Sequence, residues 1–402
     1  MKSHTYCRQA WRSIWLAIVG MGLLIAPGFS APQPKKEHDP PVSLSGLTKE
    51  EQARFEEGRQ LFEFPFTPRE GLGPVFNARA CEACHHIPTI GGHGPGYRGN
   101  IRYAEANHGA TGKLFHERAV PGVSPETLPG SALLSKRRPP SLLGLGLIEA
   151  IPEAAILANA DPDDKDRDGI RGRAAVRDGH VLRFGSQAHV GSLVEFVSDA
   201  LRQEMGLTSP MPGFDRETSS INLPIFLQKR IPEPNVTEET VRKLVDFVTL
   251  LAPPARDAEF VSEAHQVTRG EKLFRELACA KCHVPSYRTS TKPFTRIGDS
   301  TSVTFAVLLD REIAPYSDFL LHDVGPTLND GVVLGVAKPG EYKTPPLWGV
   351  RFRMHQLLHD ARANNLEQAI IYHGGEAAAS RNRFLSLSNE DRQALIEFLK
   401  TL

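Results

Sequence analysis

The sequence predicts a mostly α fold made of two tandem copies of one plan, with long loops between and within them. Three observations predict it. Gly58-Arg59-Gln60-Leu61-Phe62 recurs as Gly270-Glu271-Lys272-Leu273-Phe274. Each segment is followed by Cys-x-x-Cys-His, at Cys81–His85 and at Cys279–His283. Each copy closes on a similar apolar run, Leu244-Val245-Asp246-Phe247-Val248 in one and Leu395-Ile396-Glu397-Phe398-Leu399 in the other. Self-similarity on this scale marks a repeated structural unit. The 31 prolines and 34 glycines favour ordered loops over continuous helix.

The elements follow in order. Lys2, Arg8 and Arg12 precede an apolar run from Ile14 to Ala26, and small residues follow at Gly28 and Ser30. This pattern predicts a secretory signal peptide over residues 1–30, cut near Ser30–Ala31, and hence a periplasmic protein; a retained N-terminal anchor is the other reading. Residues 31–46 read as a disordered linker. The first domain spans 47–252 and opens on a helix after Thr48, with Glu51 completing a capping box. Its extra length lies between Ile151 and Pro234. Ala252-Pro253-Pro254-Ala255 breaks the helix that ends the copy, so 253–265 reads as a linker. The second domain spans 266–402. Its last helix has Ser388 as the starting cap and Asp391 three residues on. Between these landmarks Pro139-Pro140-Ser141-Leu142-Leu143-Gly144 resembles Thr344-Pro345-Pro346-Leu347-Trp348-Gly349.

Charge and cysteine content exclude some classes. Lys plus Arg and Asp plus Glu each number 47, and removing the three cations of residues 1–30 leaves 44 − 47 = −3. Such a balance gives no electrostatic footprint for nucleic acid. Of five cysteines, Cys7 leaves with the signal segment and the other four all lie in the two motifs. None remains for a disulfide or to complete a zinc site, which would need four ligands at each centre.

Cys-x-x-Cys-His brings two thiols and one imidazole onto one turn of chain, the arrangement that attaches a haem through its two vinyl groups and ligates its iron from the same side. The sequence therefore predicts two covalently bound haem c groups, on Cys81, Cys84 and His85 and on Cys279, Cys282 and His283, within two cytochrome-c-like domains. His85 and His283 are the expected proximal ligands.

With these motifs go Phe76-Asn77-Ala78-Arg79-Ala80-Cys81, Gly144-Leu145-Gly146-Leu147-Ile148-Glu149-Ala150-Ile151-Pro152, Leu321-His322-Asp323 and Leu358-His359-Asp360 through His373-Gly374-Gly375-Glu376. Together they make the chain resemble the di-haem oxidoreductase family, relatives of bacterial di-haem cytochrome c peroxidases. The resemblance implies a division of labour. The C-terminal haem is six-coordinate and receives electrons, and the N-terminal haem meets peroxide or a similar oxidant. In the peroxidases the sixth ligand follows a His-Asp turn by fourteen residues, which here points from His359-Asp360 to His373. His322, His355, His359 and Met354 are the rivals. At the first haem the distal position is open or is taken by His93 or His108. Family members carry a tryptophan after Arg-Phe-Gly; here that position is Ser186, and Trp348 is the one tryptophan left after residue 30.

Peroxide cleavage needs a base that takes a proton from the near oxygen and delivers it to the far one. Glu149, in an apolar run, is the expected catalytic carboxylate, and Arg183 is expected to orient peroxide or bind a haem propionate. Asp164, Asp166 and Asp168 in Asp164-Lys165-Asp166-Arg167-Asp168-Gly169 match the start of an EF-hand-type loop and are a candidate calcium site, although Ala175 stands where the closing Glu belongs. The expected activity is peroxidase-like, with a small redox protein as electron donor or acceptor. A non-catalytic electron carrier and an accessory redox protein acting on a partner are the alternatives. The sequence leaves open a homodimer.

Overall fold

The computed structural model describes residues 40–96, 100–105, 112–215, 234–256, 264–295 and 304–402. The expected signal segment and His108 lie outside these. Among the described residues the α-helices are α1 (Lys49–Glu63), α2 (Leu145–Glu149), α3 (Glu153–Leu157), α4 (Leu193–Met205), α5 (Glu238–Leu250), α6 (Ala264–Glu276), α7 (Leu366–Tyr372), α8 (Ala378–Leu385) and α9 (Asn389–Lys400). Three of the nine have seven residues or fewer, and short antiparallel strand pairs fill the long connections. The expectation of a mostly α fold is thus met only in part. No helix among the described residues is long and apolar enough to cross a membrane.

Both expected helix starts form. Thr48 accepts from the Glu51 amide while Glu51 accepts from the Thr48 amide, and Ser388 accepts from the Asp391 amide at 3.1 Å.

The repeated Gly-x-x-Leu-Phe has a direct physical reason. α1 packs on α5, and α6 packs on α9. At each crossing the backbones nearly touch. A Cβ on Gly58 would lie 2.1 Å from the Lys243 carbonyl oxygen, and one on Gly270 would lie 2.0 Å from that of Ala394. Only glycine fits such a close approach. One turn later Phe62 meets Phe247 with ring centroids 4.9 Å apart, and Phe274 meets Phe398 at 5.4 Å.

Both copies contribute to one large core. Residues 38–402 form one compact unit. Its larger core takes Phe55, Phe247 and Ile156 from the first copy but also Tyr287, Leu308, Phe319 and Trp348 from the second. A smaller core gathers Phe274, Tyr316, Phe384 and Phe398. The end of the expected disordered linker is also ordered. The Leu44 amide donates to the Leu250 carbonyl at 2.8 Å and the Ala252 amide to the Val42 carbonyl at 2.9 Å, with Leu44 buried.

Gly270→Ala and Gly58→Ala are each expected to lower unfolding free energy by about 3 kcal/mol, the upper range for overpacking, because backbone rather than a flexible side chain blocks the new methyl. Gly130, with nothing within 4 Å of its added Cβ, is the control, and Gly130→Ala should leave the denaturant midpoint within error of the parent.

Candidate functional site

One cavity of about 480 Å³ runs past both Cys-x-x-Cys-His motifs, with Phe62, Cys81, Cys84 and His85 at one end and Phe274, Cys279, Cys282, His283 and His373 at the other. A single 3₁₀ turn opens each motif and folds the histidine back beside its cysteines. The His85 amide donates to the Cys81 carbonyl at 3.1 Å and the His283 amide to the Cys279 carbonyl at 2.9 Å. Burial pushes the Cys81, Cys84 and Cys279 thiols up to about 12, so they sit as neutral thiols rather than reactive thiolates.

The imidazole of each motif is held by the same device. His85 Nδ1 lies 2.9 Å from the Pro140 carbonyl oxygen and His283 Nδ1 lies 3.0 Å from that of Tyr316. Donation to a carbonyl puts the proton on Nδ1 and leaves the Nε2 lone pair for a metal. Burial pushes both rings down to about 4, so they are neutral, as ligation requires. His373 repeats the pattern, with Nδ1 2.7 Å from the Ala369 carbonyl oxygen. The rings of His283 and His373 have centroids 6.5 Å apart. Two imidazoles on opposite sides of one metal would stand roughly 6.3 Å apart, from metal–nitrogen bonds of about 2.0–2.1 Å and about 1.1 Å from each nitrogen to its ring centre. The rivals of His373 are engaged elsewhere. His322 faces Asp318 and Glu376, each at 2.7 Å; His355 Nδ1 meets the Asn364 carbonyl; His359 stacks on Tyr342 at 4.1 Å; and Met354 packs against the smaller core.

The cavity wall carries cations that protein groups satisfy only in part: Arg137 pairs with Asp330, Arg183 donates to three carbonyls and Arg353 to the Pro346 carbonyl. Arg137, Arg138, Arg183 and Arg353 line it, and each has at least one buried guanidinium nitrogen without a hydrogen-bond partner. Burial lowers Arg138 to about 9, with Arg353 nearby adding to the effect, and lowers Arg353 to about 10. Lys343, pushed down to about 8 by burial, lines the same wall. Unpaired buried donors cost free energy until an anion meets them. An apolar cavity with free imidazole Nε2 atoms at its ends and partly unpartnered guanidinium groups on its wall fits a flat apolar macrocycle with a central metal and carboxylate arms.

Several expected residues serve other ends. Glu149 does not line the cavity; its Oε1 accepts from the Leu193 amide at 2.8 Å and so caps the start of α4. The acidic cue was real, but the burial it reported is that of a helix cap. Arg183 does line the cavity. It donates from Nη1 to the carbonyls of Ile148, Glu149 and Ile151, while Nε stays unpartnered. His93 is withdrawn as a distal ligand, because Nδ1 faces the Gly94 carbonyl and Nε2 the Phe352 carbonyl at 3.0 Å, outside the main cavity. Ser186 and Trp348 both line the cavity. Asp164, Asp166 and Asp168 do converge, but the cation among them is Lys281, whose Nζ lies 2.9 Å from Asp166 and 2.8 Å from Asp168. The hydrogen bonds it donates to Asp168 and Asp166 hold the Lys281 ammonium above its ordinary range.

The structure adds residues that sequence reasoning missed. Glu204, in the last turn of α4, lines the cavity, and burial pushes its carboxyl up to about 7. Asp199, one turn earlier on the same helix, also lines it and is raised by burial. His189 lines it as a neutral ring, lowered to about 3 by burial, with Nδ1 unpartnered. Glu204 had one signal available, a lone acidic residue directly before Met205-Gly206 at a helix end, and nothing in it told cavity from solvent.

The cavity, with an imidazole beside a cysteine pair at each end, fits the class of proteins that bind metal-centred macrocycles. Residues 122–402 match the family model described as "di-haem oxidoreductase, putative peroxidase", and the chain belongs to that family, with haem as its cofactor. The first motif, Cys81–His85, lies upstream of the matched region. Among solved structures the chain is similar to the hydrazine synthase of Kuenenia stuttgartiensis pressurized with 20 bar xenon, at 14% identity over 98% of this chain and 100% of that one with a TM-score of 0.39. It is also similar to a MauG-like protein associated with microbial copper homeostasis, at 15% identity over 94% and 95% with a TM-score of 0.38. No curated protein matches the chain.

Millimolar calcium is expected to leave the thermal midpoint of the parent protein unchanged, since Lys281 already pairs with Asp166 and Asp168 and Arg171 faces Asp164. Lys281→Gln should make that midpoint calcium-dependent, with binding visible by calorimetry. Equal calcium responses in parent and variant would reject the assignment of Lys281 as the resident cation.

Proposed function

We propose that the chain is an exported, periplasmic di-haem c-type cytochrome with peroxidase-like activity. Its thioether attachments are at Cys81 and Cys84 and at Cys279 and Cys282. His283 and His373 hold the electron-entry iron between them, and His85 holds the reactive iron. The observation that carries this division is the 6.5 Å pairing of His283 with His373. Among the described residues no such ring pair joins His85 to a second imidazole; its ring neighbour is Phe62 at 6.4 Å.

Haem supplies the redox chemistry, exchanging electrons with a small redox protein and with the oxidant. Reduction of hydrogen peroxide takes up two electrons and two protons and releases two waters. The chain supplies proton handling and electrostatics. Glu204, ionised about half the time near pH 7, accepts a proton from one peroxide oxygen and returns it to the other as the O–O bond breaks. Arg137, Arg138, Arg183 and Arg353 pair with the propionates and keep the macrocycles fixed. Ionised Glu204 is the active form, so kcat/KM for peroxide should fall about tenfold per unit below pH 7 and level off above it. Glu204→Gln should lower kcat/KM about 10²- to 10⁴-fold and abolish that limb.

A carrier reading has one observation in its favour, the unpartnered imidazole of His189 on the cavity wall. Electron paramagnetic resonance separates the two. One high-spin and one low-spin ferric signal support the enzyme; two low-spin signals that persist on half-reduction and in cyanide support the carrier. His373→Ala should convert the low-spin signal of the second haem, and an unaltered spectrum would reject His373 as its ligand.

A further inference from the structure

Glu204 is held on one side only. Its Oε2 accepts from Asn77 Nδ2 at 3.1 Å, and no second partner holds its Oε1 among the described residues. Asn77 is buried and fully used. Its other Nδ2 hydrogen goes to the Phe115 carbonyl at 3.1 Å, and its Oδ1 accepts from the Glu117 amide at 3.0 Å. An asparagine side chain offers two donors and one acceptor atom, and here all three are used. The backbone doubles the link, because the Asn77 amide donates to the Glu204 carbonyl at 2.7 Å. That carbonyl is one of the four at the end of α4 that no helical amide can reach. Asn77 itself stands four residues before Cys81, on the segment that leads into the first motif.

We propose that Asn77 is the positioning residue for the proton-transferring carboxylate: it grips one oxygen of Glu204, turns the other toward the cavity, and ties the last turn of α4 to the strand of chain that carries the first haem motif. The proposal rests on the reading of Glu204 as acid and base.

The other groups facing Glu204 are few. Arg102 and Asp199 approach from the neighbouring strand and from α4, His116 from the loop after the strand at 113–114, and Cys84 from the first motif. Burial favours protonated Glu204, and Asn77, Arg102 and His116 oppose it in that order. His116 is itself fixed, with Nδ1 2.9 Å from Glu126 Oε2 and Nε2 2.7 Å from the Gln203 carbonyl oxygen. With both nitrogens facing acceptors the ring is an imidazolium, a cation at the C-terminal end of a helix, where it is favoured. Its charge is shared with Glu126, whereas the Asn77 bond is made to Glu204 directly. Loss of the Nδ2 donor therefore raises the proton affinity of Glu204.

The test follows the carbonyl stretch of protonated Glu204 by infrared difference titration of the holoprotein, with Glu204→Gln identifying the band. Asn77→Leu should move the midpoint up by about one pH unit. The acid limb of kcat/KM for peroxide should move with it, giving about fivefold lower activity at pH 7 that recovers at alkaline pH, with the spin states of both haems unchanged. Asn77→Asp keeps the acceptor for the Glu117 amide and serves if the leucine variant does not fold; it loses the same donor and adds a negative charge, so its midpoint should rise further. A midpoint that stays put in the variant, with activity lowered equally at every pH, overturns the proposal. An acid limb that persists in Glu204→Gln overturns instead the reading of Glu204, and Asn77 then has no carboxylate to position.

Discussion

The rest of the molecule depends on two places where one backbone lies against another, at Gly58 on Lys243 and at Gly270 on Ala394. A side chain at either would force α1 from α5 or α6 from α9. The separation is passed on at once, because Phe62 and Phe274 sit one turn further along. Phe62 touches both Phe247 and His85, and Phe274 touches both Phe398 and His283. Helix spacing thus becomes imidazole position. The carbonyls of Pro140 and Tyr316 then fix the rotation of each ring and the nitrogen it presents. Position, rotation and tautomer are settled by three different contacts, each used twice in one chain.

The duplication is broken where the two ends of the cavity differ in chemistry. Arg138 and Lys343 stand at matching places, each just before the repeated Pro-Pro segment, and each is buried with its cationic form disfavoured. Around this common wall the second copy adds α7, whose end delivers His373. The first copy adds α4, which carries Asp199 at its middle and Glu204 at its end. The two ends therefore differ in a ring nitrogen at one and a carboxyl raised by burial at the other.

Much of this was legible in the sequence. The thiols, the proximal histidines, the helix caps and the paired glycines are local signals, set by spacing along one stretch of chain. The resemblance points to His373 through its spacing from His359-Asp360, and the fold sets that ring 6.5 Å from the ring of His283. Two expectations fail for one cause. Glu149 and His93 each have the composition of a functional group, yet what each does depends on a partner far along the chain: the Leu193 amide and the Phe352 carbonyl. Glu204 and His189 were missed for the converse reason, since only the closed fold turns them onto a cavity wall. The merging of two copies around one large core was equally invisible, because periodicity reports which face is apolar and not which apolar face it meets.

Lys281 carries a consequence for how such chains diverge. It occupies one of the two positions between the cysteines, which attachment chemistry leaves free to vary, yet it is bound to an aspartate 115 positions away. A relative that loses this lysine is left with three converging carboxylates and must shed an acid, import a cation or loosen the loop. The two sites are therefore one evolutionary character, and covariation between a motif's spacer residue and a distant acidic turn is the trace it would leave across the family.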